Sequence, residues 1–228
     1  MQAGVVDRIF GSTTMTPASL NVIRHEHRAL SAMLRSIVLM LDFHRKRGTV
    51  PDLDALQAML FYVDEFPEKL HHPKETSLLF PKLRGRTQHM DEVLERLDRE
   101  HEKGGLAIRE LEHALIAFRV MRGTVQEASR RDAFESAVKD YVSFYLGHMA
   151  VEEAEVLPFA QGVLQREDWA EIDKAFLQNR DPLAGYEADE AYRPLYMTIL
   201  SALQHSGNFA SVLEALAGTA QPQFSSPR

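Results

Sequence analysis

The chain has 228 residues, of which 45% are hydrophobic and 26% are charged, and its formal net charge is -7. This balance is typical of one soluble globular domain, and no basic run is present that would bind nucleic acid. The absence of cysteine excludes disulfides, thiolate catalysis, cysteine-ligated iron–sulfur clusters and cysteine-ligated zinc. No apolar run approaches the roughly 20 residues that span a bilayer, and the N-terminus lacks a secretory pattern, so we expect a cytoplasmic protein that binds no membrane.

The predicted elements are all helices. Glycine and proline cluster at a few places, and between them apolar residues recur every three or four positions rather than alternating. Thr16 is the expected N-cap of the first helix, and the second helix should bend near Pro67 and Pro73. The pattern predicts long helices over about 16–46, 52–82, 88–121 and 131–160, and short helices over about 168–178 and 188–203.

Long helices with short connections predict the fold class. We expect an all-α, antiparallel, up-down-up-down four-helix bundle with two additional short C-terminal helices packed outside it. In terms of domains, about residues 1–165 should form the bundle with a metal site, and about 166–210 a helical extension packed on it. We expect the tail, about residues 211–228, to be disordered.

Each long helix places one histidine in its apolar stripe. A bundle helix buries one residue in every three or four, and these residues form the apolar stripe. In helices 2 and 4 the stripe continues to Leu78 and Phe159. In an antiparallel bundle the in-phase polar residues all lie about 7 to 13 residues from the same end, so they should meet in one layer. These candidate metal ligands are His27, His71, Glu75, His101, His148 and Glu152.

The composition of this layer favours two metal ions. Two buried carboxylates beside four imidazoles would be strongly destabilised without a cation. Six nitrogen and oxygen donors are too many for one tetrahedral zinc and too rich in nitrogen for calcium or magnesium. A His and a Glu four residues apart reach neighbouring ions, and the Glu is free to bridge them. The pattern therefore favours a pair of iron or manganese ions.

Some neighbouring residues leave the ligand set open. His72 would replace His71 if the prolines shift the phase of the helix, and Glu153 would replace Glu152 if the helix is locally widened. Glu26 and His25 flank the candidate ligand of helix 1, and either could orient an imidazole, although a surface position is favoured for both.

The segments "IRHEHRAL" (23–30), "HHPKETSLLFPKL" (71–83), "REHEKGG" (99–105) and "HMAVEEAEVLPFA" (148–160) resemble, in order, the hemerythrin-like or HHE cation-binding family. The resemblance implies a four-helix bundle with a non-haem di-iron centre, bridged by an oxo or hydroxo group. It also implies that the iron ligands fall on the same six residues. The segment "FLQNRDPLAGYEADEAYRPLY" (176–196) resembles the C-terminal extension of bacterial members.

One position departs from the oxygen-carrying members of this family. These proteins place a further histidine four residues after the ligand of helix 3, where this chain has Gly105. We therefore expect an open coordination position, or one filled by water or another side chain. Tyr62, Tyr141 and Tyr145 are the phenols nearest in phase, although each is expected to be a core residue with a satisfied hydroxyl. The lack of an N-terminal cysteine argues against the branch that repairs iron–sulfur clusters.

Two functions fit this expected centre. The first is a protein that binds O2, NO or peroxide for sensing, storage or stress protection. The alternative is a di-iron oxidoreductase with peroxidase, catalase-like or NO-reducing activity, which the open position at Gly105 slightly favours. The sequence identifies no dedicated proton donor and no docking site for an electron-transfer partner, and it does not predict the oligomeric state.

Overall fold

A computed structural model of the chain describes residues 16–186 and 189–205, and these residues form helices and connections without a strand. The predicted disordered tail, 211–228, lies outside the described residues. None of the described helices combines the length and the apolarity needed to cross a membrane.

Four long helices and two shorter ones make up the described chain. Helix α1 is Ala18–Arg47, α3 is Asp91–Val120, α5 is Arg166–Phe176 and α6 is Arg193–His205. Helix α2 covers residues 53–84 and contains two π-helical segments, Asp64–His71 and Glu75–Leu79. Helix α4 covers residues 127–163 and contains one π-helical segment, Glu152–Val156.

The helix ends have local causes. Helix α1 begins after Pro17, which occupies the N-cap without a side-chain cap, so the prediction of Thr16 as N-cap was wrong. The ring of Pro17 holds its φ at -54, close to the helical value. Gly48 ends the same helix in the left-handed conformation, with φ 63. Asp52 caps α2 by accepting hydrogen bonds from the backbone N–H groups of Asp54 and Ala55, each at 3.0 Å.

Two apolar clusters fill the interior and leave a polar layer between them. One cluster joins the later part of α1 and α3 to the early part of α2 and α4; it includes Ile37, Leu56, Leu115 and Phe134. The other joins the early part of α1 and α3 to the late part of α2 and α4; it includes Ile23, Leu83, Leu94 and Leu157. Residues that are distant in the sequence therefore lie at the same height along the bundle axis.

The π-helical segments change which residues face the interior. Leu78 and Phe159, which regular α-helical spacing predicts in the core, are only partly buried. The following residues, Leu79 and Ala160, are completely buried instead. A π-helical turn contains about one more residue than an α-helical turn, so each inward position beyond it moves along the chain by one.

The short helices and the turns around them pack on the long ones, and we call residues 166–205 the C-terminal extension. Helix α5 is fixed to the start of α1 because the backbone N–H and the hydroxyl of Ser19 both donate to Asp173, at 2.7 and 2.5 Å. Helix α6 packs against α2 through Tyr196, which contacts Tyr62 and Phe66. The extension thus contacts both α1 and α2.

Candidate metal centre

The six residues predicted as metal ligands lie together in the polar layer. Each of the four long helices contributes at least one of them, and all six are buried. His101 is the most exposed at 8%, whereas Glu75 and Glu152 are completely buried. The layer is therefore nearly closed to bulk water.

The imidazoles face one another in two pairs. Nε2 of His27 lies 3.1 Å from Nε2 of His71. Nε2 of His101 lies 3.0 Å from Nε2 of His148. Each pair combines two different helices, so the layer depends on the packing of the whole bundle.

The two carboxylates lie between these pairs. Oε2 of Glu75 is 3.3 Å from Nε2 of His71 and 3.5 Å from Nε2 of His101. Oε2 of Glu152 is 3.4 Å from Nε2 of His27, and its Oε1 is 3.2 Å from Nε2 of His148. Each carboxylate therefore contacts both imidazole pairs.

The carboxylate oxygens have no hydrogen-bond partner. All four oxygens of Glu75 and Glu152 are buried, and none accepts a hydrogen bond, although imidazole nitrogens lie nearby. An unsatisfied buried polar atom costs about 1 to 3 kcal/mol, and more when it is charged. A cation placed among these oxygens and the surrounding nitrogens would satisfy them, so the residues present fit a metal site.

A seventh side chain joins the layer. His72, which regular spacing places on a mixed face, is 3% exposed, and its ring stacks on His101 with centroids 4.4 Å apart. The sequence offers His71 and His72 as alternatives, whereas the structure brings both into the layer. The reason is the π-helical segment that ends at His71, because its wider turn brings two consecutive residues to the inner face.

Three groups of donor atoms could each hold an ion within the described residues. The donor atoms of each group lie within 4.8 Å of one another. The groups are His72, His101 and His148; His27, His71 and Glu75; and Glu75, His101 and Glu152. Two of these groups are rich in histidine, and Glu75 and His101 each belong to two groups.

A second row of polar residues contacts the outer nitrogen of each imidazole. Such contacts fix the tautomer and turn the inner nitrogen toward a metal. The Nδ1 distances are 3.1 Å for His27 to Glu153, 2.7 Å for His71 to Glu26, 3.2 Å for His72 to Glu68, 2.8 Å for His101 to the hydroxyl of Thr76 and 2.8 Å for His148 to Glu100.

Sequence reasoning missed most of this second row. Glu26 was expected on the surface, but it is 7% exposed because it lies beneath His71. Glu68 and Thr76 precede and follow His72 by four residues, so their spacing would have revealed them once that histidine was placed inside. Glu100 has no comparable signal, because it is adjacent to His101 but contacts a histidine of another helix.

The structure also separates Glu152 from Glu153. Glu152 lies within the layer, whereas the side chain of Glu153 is 43% exposed and contacts the outer nitrogen of His27. The hydrogen bond from His27 and nearby cationic charge lower the pKa of Glu153 below its usual value. Glu153 therefore behaves as an ionised partner of the imidazole rather than as a donor in the layer.

Electrostatics in the layer favour a cation. Burial alone would lower the pKa of His148, but the carboxylates of Glu152 and Glu100 outweigh burial and raise it to about 9. Burial would raise the pKa of Glu152, but the adjacent imidazoles hold it well below the usual range. In the metal-free protein a protonated imidazole thus supplies the positive charge that a metal ion would replace.

The hydroxyl groups of the three tyrosines bond to carboxylates outside the set of candidate ligands. Tyr141 donates to Oε1 of Glu68 at 2.9 Å, Tyr145 donates to the same oxygen, and Tyr62 donates to Asp181 at 2.7 Å. Each is thus a core tyrosine whose hydroxyl is satisfied, as expected.

The two glycines of α3 have different surroundings. A Cβ atom on Gly104 would overlap the ring and hydroxyl of Tyr145, so only glycine fits there. A Cβ atom on Gly105 would lie 3.7 Å from Oε2 of Glu68, which is ordinary contact. Glu68 also contacts His72, so Gly105 and His72 lie on the same side of the layer.

Comparison with known proteins agrees with this geometry. The family model of the hemerythrin HHE cation binding domain matches residues 18–160, which is more than half of the chain. The comparisons with curated proteins and with solved structures give no match. The matched range contains all seven histidines and glutamates of the layer and ends before the C-terminal extension. On this evidence the chain belongs to the hemerythrin HHE cation-binding domain family.

Proposed function

We propose that the chain holds two non-haem iron ions in the polar layer and uses them to bind O2, NO or peroxide for sensing, storage or stress protection in the cytoplasm. The observation that carries this proposal is the set of four buried carboxylate oxygens, on Glu75 and Glu152, that have no hydrogen-bond partner. Inward-facing imidazoles surround them, and such a set of donors binds a cation better than it serves packing.

The donor groups support an assignment of ligands to ions. We assign His72, His101 and His148 to one ion and His27 and His71 to the other, while Glu75 and Glu152 contact both. Imidazole and carboxylate donors in the core of a helix bundle suit iron, and manganese is the alternative. The two apolar clusters that enclose the layer also support the up-down-up-down arrangement and would restrict access of water.

The second row of residues places further carboxylates near the ions. Two ferrous ions carry four positive charges, of which Glu75 and Glu152 offset two. Glu26, Glu68, Glu100 and Glu153 contact the outer nitrogens of ligating imidazoles and add negative charge close to the ions. Such contacts also increase the basicity of an imidazole and thereby strengthen its bond to a metal.

When bound, a reduced iron pair would supply affinity for O2, NO or peroxide. It would also supply electrons for redox chemistry, which the protein side chains cannot provide. The protein's own contribution is the orientation of the imidazoles and the exclusion of water. Burial and the imidazoles of His101 and His71 hold the pKa of His72 well below its usual value. His72 is therefore neutral at physiological pH, and the lone pair of its unprotonated ring nitrogen is available to bind a metal ion.

Metal content tests the proposal directly. Protein loaded with iron under anaerobic conditions should contain about two iron atoms per chain after removal of unbound metal. His148→Ala should lose most of this iron, whereas His25→Ala, outside the layer, should retain it. An iron content near zero in the wild-type protein would refute the proposal, and loss of iron in the His25 variant alone would overturn the ligand assignment.

An oxidoreductase is the second candidate function. A surface cleft of about 470 Å³ reaches His72 and His101 beside Gly105 and is also lined by Glu68 and Arg109, which would admit a polar molecule such as H2O2. However, His72 supplies an imidazole on the side where Gly105 suggested an open position, so that argument for turnover is weaker. Mixing the reduced protein with O2, H2O2 or NO separates the functions, because a reversible spectral adduct supports binding and sustained consumption supports catalysis.

A further inference from the structure

The C-terminal extension reaches the candidate metal centre from outside the range that matches the family. Phe176, the last residue of α5, is completely buried and packs edge-on against the ring of His71, with centroids 5.7 Å apart. Three residues later, Asn179 is 4% exposed, and its side-chain amide donates to Oε2 of Glu26 at 3.0 Å. Both contacts converge on the same candidate ligand, because Glu26 is the partner of His71.

The hydrogen bonds form a chain of three side chains from three elements. Nδ1 of His71 on α2 donates to Oε2 of Glu26 on α1 at 2.7 Å, and Asn179 of the extension donates to that same oxygen. The position of one carboxylate oxygen is therefore set from two sides. If the amide were absent, Glu26 would be free to turn away, and the outer nitrogen of His71 would lose a defined acceptor.

Asn179 is itself held firmly in place. Lys74 of α2 donates to its amide oxygen. Two residues further on, the buried Asp181 accepts hydrogen bonds from the hydroxyl of Tyr62 at 2.7 Å and from the backbone N–H of Leu183 at 2.9 Å. The segment 179–183 is thus fixed to α2 at two points, so the amide of Asn179 has a defined direction.

A buried asparagine in a turn often satisfies the backbone of its own turn. The side-chain hydrogen bonds described for Asn179 go instead to Glu26 and Lys74, which are charged side chains on the helices of the metal centre. Its amide therefore joins the extension to the second row of the site.

We propose that Asn179 is a positioning residue of the metal centre: by holding Glu26 it fixes the ring of His71, so that Nε2 of His71 faces the metal. This inference rests on the proposed metal function and extends it to a segment beyond the family match. Asn179 acts through Glu26, since its described side-chain hydrogen bonds go to Glu26 and Lys74 and not to a candidate ligand.

The full-length chain with Asn179→Leu tests the proposal, because leucine has a similar size and no polar atom. Gln178→Leu is the matched control, since it makes the same kind of change, from an amide to leucine, at the adjacent and exposed position. The probe is ferrous iron alone, titrated anaerobically against a competing chelator. We expect Asn179→Leu to weaken iron binding about 10-fold or more, as changes behind a metal ligand commonly do, and Gln178→Leu to bind as the wild type does.

A double-mutant cycle shows whether Asn179 acts through Glu26. In the Glu26→Ala background, Asn179→Leu should cause no further loss of iron affinity, because the path to His71 is already broken. Nuclear magnetic resonance of the metal-free protein provides a second measurement. The Nδ1 proton of His71 should be protected from exchange with water in the wild type and in Gln178→Leu, but not in Asn179→Leu.

The possible results are distinct. Wild-type iron affinity in Asn179→Leu, or independent effects of the Asn179 and Glu26 substitutions, would overturn the proposal. If the wild-type chain binds no iron, the proposed function fails, whereas the protection of the His71 proton still decides whether Asn179 positions that ring. Should Asn179→Leu fail to fold, Asn179→Asp keeps the acceptor for Lys74 and removes the donor to Glu26, and the same losses are expected.

Discussion

The rings of His72 and His101 are nearly parallel, with centroids 4.4 Å apart and an angle of 14° between their planes. The π-helical part of α2 brings His72 into this position directly after His71. Helix α2 thereby provides His71, His72 and Glu75 to the polar layer, whereas regular helical spacing would place only two of these inside. His101, His148 and His72 thus form a group of three imidazoles. The third of them comes from α2, whereas the position on α3 that could have supplied it is Gly105.

His72→Ala should reduce the iron content from about two atoms to about one per chain, because the ion near His101 and His148 loses an imidazole. His72→Phe keeps an aromatic ring beside His101 but has no donor atom, so it should lose the same amount of iron. Metal analysis after anaerobic loading measures both variants. Retention of full iron content by His72→Phe would mean that the ring contributes packing rather than a bond to the metal.

Gly104→Ala should lower the free energy of unfolding by about 1 to 3 kcal/mol, because the added methyl group overlaps the buried ring of Tyr145. Gly105→Ala is the matched control in the same helix. Its methyl group meets only Glu68, at 3.7 Å, and alanine favours the helix by about 0.5 to 1 kcal/mol. Urea unfolding of chelator-treated protein compares the two, and equal stability of both variants would contradict the described contact.

Removal of metal should destabilise the fold, because it leaves the buried carboxylates of Glu75 and Glu152 without hydrogen-bond partners. At a free ferrous concentration 100 times the dissociation constant, binding should add about 2.7 kcal/mol to the free energy of unfolding. Anaerobic urea unfolding with and without iron measures this difference. Glu152→Ala should make the unfolding curve nearly independent of iron, and an undiminished response in that variant would remove Glu152 from the ligand set.

Stability should also depend on the ionisation of Asp181. Burial raises the pKa of this carboxyl from 3.8 to about 7, although the hydrogen bond from Tyr62 opposes the shift, while the nearby charge of Glu26 adds to it. Because the folded pKa lies above the unfolded one, the neutral form favours folding. The contribution of Asp181 to stability should therefore be greatest below pH 3.8 and should fall as the pH rises to about 7.

Asp181→Asn isolates this effect, since the amide stays neutral at every pH. In the metal-free protein, the difference in unfolding free energy between variant and wild type should grow in favour of the variant from about pH 4 to about pH 7 and then level off. Urea unfolding at several pH values measures the difference. If the difference in unfolding free energy did not change with pH, Asp181 would be ionised equally in the folded and unfolded states.

Helical periodicity was sufficient to predict the all-helical chain and to select six residues that the structure brings into one layer. A stripe of core positions is a local property, so His27, His101 and His148 could be found by counting along each helix. The segment containing His72 could not be placed this way, because the formation of π-helical turns depends on packing around Pro67 and Pro73 as well as on local preference.

Contacts between distant parts of the chain were beyond the reach of this method. Glu26 and Asn179 are 153 residues apart, and neither position has a periodic signal that links it to the other. The same holds for Glu100, whose acceptor oxygen contacts a histidine on another helix. A pattern along one helix predicts which face is inward, but not which side chain of a neighbouring element meets it.

The π-helical segment Asp64–His71 makes the site sensitive to the number of residues in α2. Each residue of a regular helix advances the direction of its side chain by about 100°, so removal of one residue upstream of His71 would rotate everything after it relative to the bundle if the wide turn persisted. If the turn instead relaxed to an α-helix, the deletion would be absorbed, but two consecutive histidines would no longer share the inner face. This stretch of α2 should therefore tolerate substitutions far better than insertions or deletions.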